Sequence, residues 1–378
     1  MKQDLFQRSW LEIDAKAIES NVVNLKRIID KNCLLMAVVK ADGYGHGVET
    51  VSKAAIAGGA NYLGVATLLE GIQLRKLNFD CPILILGNLT TANEIDACLN
   101  WNLLPTISSL SDAKVCQNIA KKYGLIFKIH LKIDTGMTRL GCDLKDAWHL
   151  FESILQMKNI SIDGIYSHLA LADCDSDSKQ IEVNFKQQKI FSELYKKMKI
   201  RKRNICFHLA NSAGTLRYKQ LHYNMVRVGL AMYGYSPLKK FQNNIKLKPA
   251  MTVKTKINFI REVPSNVGVS YGHLFKTKRS SKLAVVSIGY ADGVNRSLSG
   301  KINALFKGKY LPQVGAITMD QMVIDITDSP NLNVGDILTL LGTDGTDFIS
   351  VIHWSEMSGS IPWEILCGFS NRLPRVVI

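Results

Sequence analysis

The chain has 378 residues, 47% hydrophobic and 21% charged, a length and balance that suit two globular domains, or one barrel with a smaller partner, and exclude fibrous or disordered classes. Its longest apolar runs, such as "LLMAVV", fall far short of a bilayer span, so no membrane association is expected. The opening "MKQDLFQRSWLEIDAKA" lacks the apolar core of a secretory signal, which predicts a cytoplasmic protein.

The first predicted element is a helix over "DAKAIESNVVNLKRIID", with Asp14 at its N-cap and Ile18, Val22, Leu25 and Ile29 on one stripe. From residue 34 to about 234, short β-branched runs then alternate with longer amphipathic stretches: "LLMAVVK", "NYLGVAT", "PILILGN", "LLPTIS", "FKIHLKID", "SIDGIYSHL", "NICFHLAN" and "MVRVGLAMYG". Eight strand-helix alternations predict a parallel (β/α)8 barrel. Beyond about residue 247 the period changes to two, in "MTVKTKINFIREV", "KLAVVSIGYADG", "QVGAITMDQMVIDIT" and "VGDILTLLG", which predicts a mostly antiparallel β domain. The expected division is a barrel over 1–246, whose first residues pack on the β domain, and a β domain over 247–378. The polar stretch "SPLKKFQNNIKLKP" is the expected crossing point.

The eight cysteines stand singly with no C-x-x-C pair, a reduced structural set rather than a disulfide frame or metal site. A formal charge of +15 includes the basic clusters "KIRKRN" and "KTKRSSK", but no RNP, zinc-finger or helix-turn-helix pattern accompanies them. No nucleic-acid partner is expected; a basic field suits an anionic cofactor or substrate equally well.

Barrel chemistry collects at the C-terminal strand ends, and here those ends are polar: Lys40 before "ADGYGHG", Lys132 and Asp134 leading to Arg139, His168, His208 with Asn211 and Ser212, and Arg227. Singly, each has an ordinary reading: a solvated strand terminus, a core histidine, a dimer-contact arginine, a helix cap. Together they point to one site. A lysine among cations and glycines suits Schiff-base chemistry, because neighbouring positive charge and partial burial favour the neutral amine. Pyridoxal phosphate is the natural partner, with Ser212, Gly229 and Leu230 offering donors to its phosphate and Arg227 reaching its pyridine nitrogen.

The motifs "AVVKADGYGHG", "KIDTGMTRLG", "YSHLA", "HLANSAG", "MVRVGLAMYG", "VSYGHLF", "IGYADG" and "MDQ" resemble those of the bacterial alanine racemases, in the same order and over essentially the whole chain. The resemblance implies pyridoxal phosphate on Lys40, alanine as substrate, and a head-to-tail homodimer with shared active sites. It implies phosphate contacts from Tyr44, Ser212, Gly229 and Leu230, Arg227 at the pyridine nitrogen, and His168 supporting Arg227. Arg139 and Met319 would serve the substrate carboxylate, with Tyr271 and Asp320 completing the site and Asn211 and Tyr290 in support. Lys132 matches a position that the family often carries as a carbamate able to orient Arg139.

Two stretches depart from the family pattern. "VGAITMDQ" carries Ala316 and Thr318 in place of a positive charge and a thiol, and "FSNRLPR" puts Asn371 where many members have a phosphate-binding tyrosine. The expected reaction is 1,1-proton transfer at the α-carbon of alanine, with Lys40 and Tyr271 as bases on opposite faces, supplying D-alanine for peptidoglycan. The alternatives are a pyridoxal-phosphate amino-acid decarboxylase, which places a carboxylate where Arg227 stands, and a non-catalytic pyridoxal-phosphate carrier, which resembles the barrel half alone.

Overall fold

In the computed structural model of the chain, residues 7–174, 178–238, 245–329 and 331–378 are described. Contacts group the chain into two compact units, one of Lys16–Gly43 and Val48–Lys248, the other of Met1–Ala15, Tyr44–Gly47 and Pro249–Ile378. Strands are numbered in chain order, and β1 (Ser9–Ile13) belongs to the second unit.

The first unit is a closed barrel of eight parallel strands: β2 (Leu34–Val38), β3 (Tyr62–Val65), β4 (Ile83–Asn88), β5 (Leu104–Ile107), β6 (Phe127–Lys132), β7 (Ile160–Tyr166), β8 (Cys206–His208) and β9 (Met225–Val228). Each coincides with one of the eight expected runs. Closure is made by β9 against β2, with Leu34 opposite Met225 and Ala37 opposite Val228. Strands buried on both faces are near-continuous apolar runs, and Met36, Leu84, Leu104, Tyr166 and Met225 pack together as one core cluster. The helices between them are held by ordinary caps: Thr67 with Glu70 and Thr91 with Glu94 form reciprocal capping boxes.

The first helix runs from Ala15 to Ile28 and buries Ala17, Ile18, Val22 and Leu25. Ile29 is buried just past its end. The same face buries Asn21, whose amide donates to Met232 O (3.0 Å) and Lys248 O (2.8 Å) and accepts from Lys248 N (2.8 Å). This polar pin fastens the end of the barrel unit to its first helix. Of the expected crossing segment, residues 239–244 lie outside the described residues.

The second unit is antiparallel apart from one pairing. Its strands are β10 (Met251–Val263), the short pair β11 (Gly268–Val269) and β12 (Phe275–Lys276), β13 (Ser281–Val286), β14 (Asn303–Phe306), β15 (Lys309–Val314), β16 (Met322–Asp325), β17 (Ile337–Asp344), β18 (Asp347–Ile349) and β19 (Arg375–Val377). The nine-stranded sheet has the order β18-β17-β14-β15-β16-β13-β10-β1-β19, and a further β10–β17 pairing closes six of these strands into a ring. Along β10, Met251, Val253, Thr255 and Ile257 are buried while the residues between them are not, the period of two that marks a half-buried strand. β1 lies antiparallel to β10 and parallel to β19, so the first strand of the sequence completes a sheet built from its last third. Among the described residues no helix is long and apolar enough to cross a membrane.

The Asn21 pin generates a test. Asn21→Ala leaves two carbonyls and one N–H without their partner in a buried setting and should cost about 1–3 kcal/mol, read as a lower urea midpoint at unchanged m value. An unchanged midpoint would show that the pin is not needed.

Candidate active site

Lys40 follows β2 and is exposed, and the chain after it winds the wrong way. Ala41, Asp42, Gly43 and Tyr44 all have φ between 52° and 61°, a left-handed turn closed by Gly43 N donating to Val39 O at 2.9 Å. Each non-glycine residue in that conformation costs roughly 1–2 kcal/mol. Two carboxylates offset this. Glu70 Oε1 accepts from Ala41 N at 2.7 Å while its Oε2 accepts from Ala66 N and Thr67 N, and Asp42 Oδ1 accepts from Val48 N at 2.8 Å. Glycine is required at 43, where a Cβ would also lie 2.8 Å from Val51 Cγ2.

Arg227, on β9, is 4% exposed. Its Nη1 donates to Nδ1 and the carbonyl of His208, both at 3.1 Å. Its Nη2 donates to Ser167 O (2.8 Å), His168 Nδ1 (3.2 Å) and Leu209 O (3.2 Å). Every one of these acceptors is neutral, and among the described residues no carboxylate pairs with the guanidinium. Burial lowers Arg227 to about 10, with Tyr166 opposing, so it stays charged at neutral pH. Burial, followed by Arg227, Arg139, Lys132 and Lys40, pushes His168 down to about 3, which keeps that ring neutral and able to accept.

Lys132 ends β6 and is buried, with Nζ 5.2 Å from the centre of the Tyr166 ring. Burial first, then Arg227, Arg139 and Lys40, push it down to about 8, while Asp134 pulls the other way. Asp134 itself serves the backbone: its Oδ1 accepts from Gly136 N and Met137 N, each at 2.8 Å. Burial opposes these bonds, yet they hold its carboxyl below the usual range. Arg139 follows this turn and is exposed.

Ser212, after β8, is buried and accepts through Oγ from Gly229 N at 2.9 Å and Ala231 N at 3.4 Å. Leu230 opens the turn Leu230–Tyr233. Asn211 is a helix cap, its Oδ1 accepting from Gly214 N at 3.0 Å. Within this unit, then, lysines, arginines, a hydroxyl and backbone amides dominate the strand ends. That donor set calls for an anionic ligand, and a phosphate-bearing heteroaromatic cofactor with a ring nitrogen to meet Arg227 fits it.

The remaining expected residues belong to the second unit. Tyr44 is buried there, and burial followed by Cys367 pushes its phenol up. Tyr271 is 74% exposed on a turn in which Ser270, Gly272 and His273 have positive φ, and Ser270 Oγ donates to Ala316 O at 2.8 Å. Met319 and Tyr290 are exposed as well. Their segments are joined by Tyr290 N to Thr318 O and Ala291 N to Met319 O, each 3.0 Å, a contact so close that a Cβ on Gly289 would sit 2.2 Å from Thr318 O. Asp320 pairs with Arg372 at 2.6 Å, and Arg372 reaches the fully buried Asp292 at 3.4 Å, which also takes two bonds from Arg8. Asn371 is exposed beside Arg372 in the sequence. The Arg8–Asp292–Arg372 anchor was not anticipated, nor was Glu70; the acidic residue in "IGYADG" was the available signal.

Comparison with known proteins agrees over the full length. The family model "Alanine racemase, N-terminal domain" matches residues 13–237, and "Alanine racemase, C-terminal domain" matches 250–377. The chain is 56% identical over 377 residues to an alanine racemase of Prochlorococcus marinus, covering 100% of this chain and 98% of that one. A solved alanine racemase of Bacillus anthracis with bound L-Ala-P is similar at 34% identity and TM-score 0.88, over 99% of this chain and 96% of that one. Another, from Bartonella henselae with covalently bound pyridoxal phosphate, is similar at 30% identity and TM-score 0.86, over 98% and 99%.

The neutral rings carry a pH consequence. His130, His168 and His208 all lie below the ordinary value of 6.5, burial being the largest cause in each. Unfolding therefore takes up protons once pH falls below about 6.5, and stability drops as pH falls further, by up to about 1.4 kcal/mol per unit for each group. Urea midpoints of the cofactor-free protein should be lower at pH 5 than at pH 7. Equal midpoints would mean that these histidines are accessible to protons in the folded chain.

Proposed function

The chain belongs to the alanine racemase family, and on that premise we propose how its own residues move the proton. The reaction interconverts L-alanine and D-alanine. Pyridoxal phosphate, when bound, supplies the electron-withdrawing ring system that acidifies the Cα–H of the substrate. The observation that carries the reading is the buried Arg227, whose hydrogen-bond partners among the described residues are all neutral.

Lys40 is the covalent anchor for that cofactor and the base on one face of the substrate. The phosphate would be received by the hydroxyl of Ser212 and the amides of Gly229 and Leu230, with Tyr44 the further donor that the family resemblance implies. Arg227 would donate to the pyridine nitrogen and, at about 10, would not give its proton up, which would leave that ring a moderate electron sink. Moderate withdrawal favours return of the proton over competing bond cleavage. His168, neutral and accepting from Arg227, holds the guanidinium in place.

Arg139 and Met319 hold the substrate carboxylate. Lys132, at about 8, has an amine that is partly neutral at working pH and so able to take up carbon dioxide; the resulting carbamate would replace a cation beside Arg139 by an anion that orients it. The opposite face needs a base from elsewhere, and Tyr271 of a second copy of the chain fills that role, with Asp320 beside Met319, Asn211 and Tyr290 in support. The protein acts as a cytoplasmic homodimer, residues 1–246 providing the cofactor-binding domain and 247–378 the domain that completes the partner's site, and it supplies D-alanine for peptidoglycan.

Borohydride reduction of the cofactor-loaded protein followed by peptide mapping should place a pyridoxyl group on Lys40; a label on any other lysine would sink the assignment. Tyr271→Phe should retain the cofactor and lose racemisation. In deuterated water that variant should still exchange the α-proton of D-alanine through Lys40 and hardly that of L-alanine. Equal exchange from both enantiomers, or unimpaired turnover, would rule out the two-base assignment.

A further inference from the structure

Polar side chains do not stop at the barrel mouth. Below Arg227, inside the ring of strands, lie two fully buried histidines in series. His208 Nδ1 accepts from Arg227 Nη1 at 3.1 Å, and His208 Nε2 lies 3.0 Å from His130 Nδ1. His130 Nε2 makes no hydrogen bond of ordinary length, but faces Asp163 Oδ2 at 3.7 Å. Asp163, on β7, is 27% exposed and also takes a long bond from Tyr62 Oη at 3.4 Å, with Lys128 Nζ at 3.9 Å.

The bonds determine where the protons are. Arg227 can only donate, so His208 Nδ1 is bare and its Nε2 carries the hydrogen. His208 Nε2 then donates to His130 Nδ1, which must also be bare, and the His130 hydrogen is on Nε2, directed at Asp163. The alternative tautomer of His130 would turn His208 over and bring an N–H of His208 against an N–H of Arg227.

We propose that Asp163 is a positioning residue for Arg227, acting through His130 and His208 by fixing which nitrogen of each ring carries the proton. Two further observations support the relay. Residue 164 is glycine, and a Cβ there would lie 2.4 Å from the His130 ring, so the strand leaves room for an imidazole in the core. His208 is stacked on Tyr166 at 4.7 Å and 7° between planes, and Tyr166 is itself held by Thr106 at 2.7 Å, which fixes the ring that joins the two halves. Asp163 lies below the usual carboxylate range, the facing His130 ring being the largest cause and outweighing burial, so it is ionised at neutral pH. Burying two imidazoles costs free energy unless every polar atom finds a partner, and the acceptor facing the last ring nitrogen, at 3.7 Å, is the Asp163 carboxylate.

The test is the 15N spectrum of histidine-labelled, cofactor-free protein, with signals assigned through His130→Gln and His208→Gln. In the unaltered chain both rings should show a pyridine-type Nδ1 and a pyrrole-type Nε2; any other pattern overturns the relay. Asp163→Leu should leave the His130 Nε2–H facing no carboxylate, so that both rings invert or average as the Arg227 Nη1–His208 Nδ1 bond is lost, and should lower kcat/KM by roughly 2- to 30-fold, the range for residues coupled through a packed network. Asp163→Asn, whose carbonyl still accepts, should keep the original pattern and most of the activity. Unchanged nitrogen patterns in Asp163→Leu, or lost activity without inversion in either variant, would overturn the proposal. The kinetic arm rests on the racemase reading, whereas the spectra need neither substrate nor cofactor, so the two can fail separately.

Discussion

A guanidinium buried with no carboxylate partner among the described residues is the constraint around which the barrel is arranged. Removing such a charge from water is expensive, and pairing it with an acid would be the ordinary remedy. Here the remedy is dispersed over the ends of neighbouring strands: Ser167 O, His208 O and Leu209 O supply carbonyls, and His168 and His208 supply neutral ring nitrogens. A dispersed cradle leaves the arginine's charge uncancelled. That charge then acts on the surroundings, adding to burial, which is the larger cause, in lowering Lys132 and His168.

The same field orders the rest of the mouth. Lys132 and His168 are each held toward their neutral forms by burial and by shared cationic neighbours, so one residue's position sets the protonation of the next. The β unit solves a different problem. Its exposed Met319 is supported by the glycine-permitted close contact at 289 and by the chain Arg8, Asp292, Arg372, Asp320, and the turn that carries Tyr271 by Ser270 Oγ donating to Ala316 O.

Much of this was legible in the sequence where the signal is local. The eight barrel runs are continuous because both faces are buried, and even the three-residue strand Cys206–His208 sits inside its expected run. The motif residues Lys40, Lys132, Arg139, His168, Ser212 and Arg227 all belong to the barrel unit. Legibility fails where partners are far apart in the chain. Arg8 meets Asp292 across 284 positions, and nothing in either neighbourhood announces the other. The glycines of "ADGYGHG" announce a turn, but not that Ala41, Asp42 and Tyr44 share its left-handed conformation, since that depends on Glu70 some thirty residues later. His130 reads as one more residue in an apolar run; only its neighbours give it a role.

Glu70 links two elements that a sequence comparison would treat as separate. One of its oxygens closes the cap of the helix Leu68–Lys76, and the other holds the amide next to Lys40. A glutamine at this position would have a single carbonyl oxygen to share between the two tasks. The start of that helix and the backbone carrying the reactive amine therefore form one inherited unit: a substitution chosen to strengthen the helix also re-aims the lysine, and neither can be engineered as an isolated module.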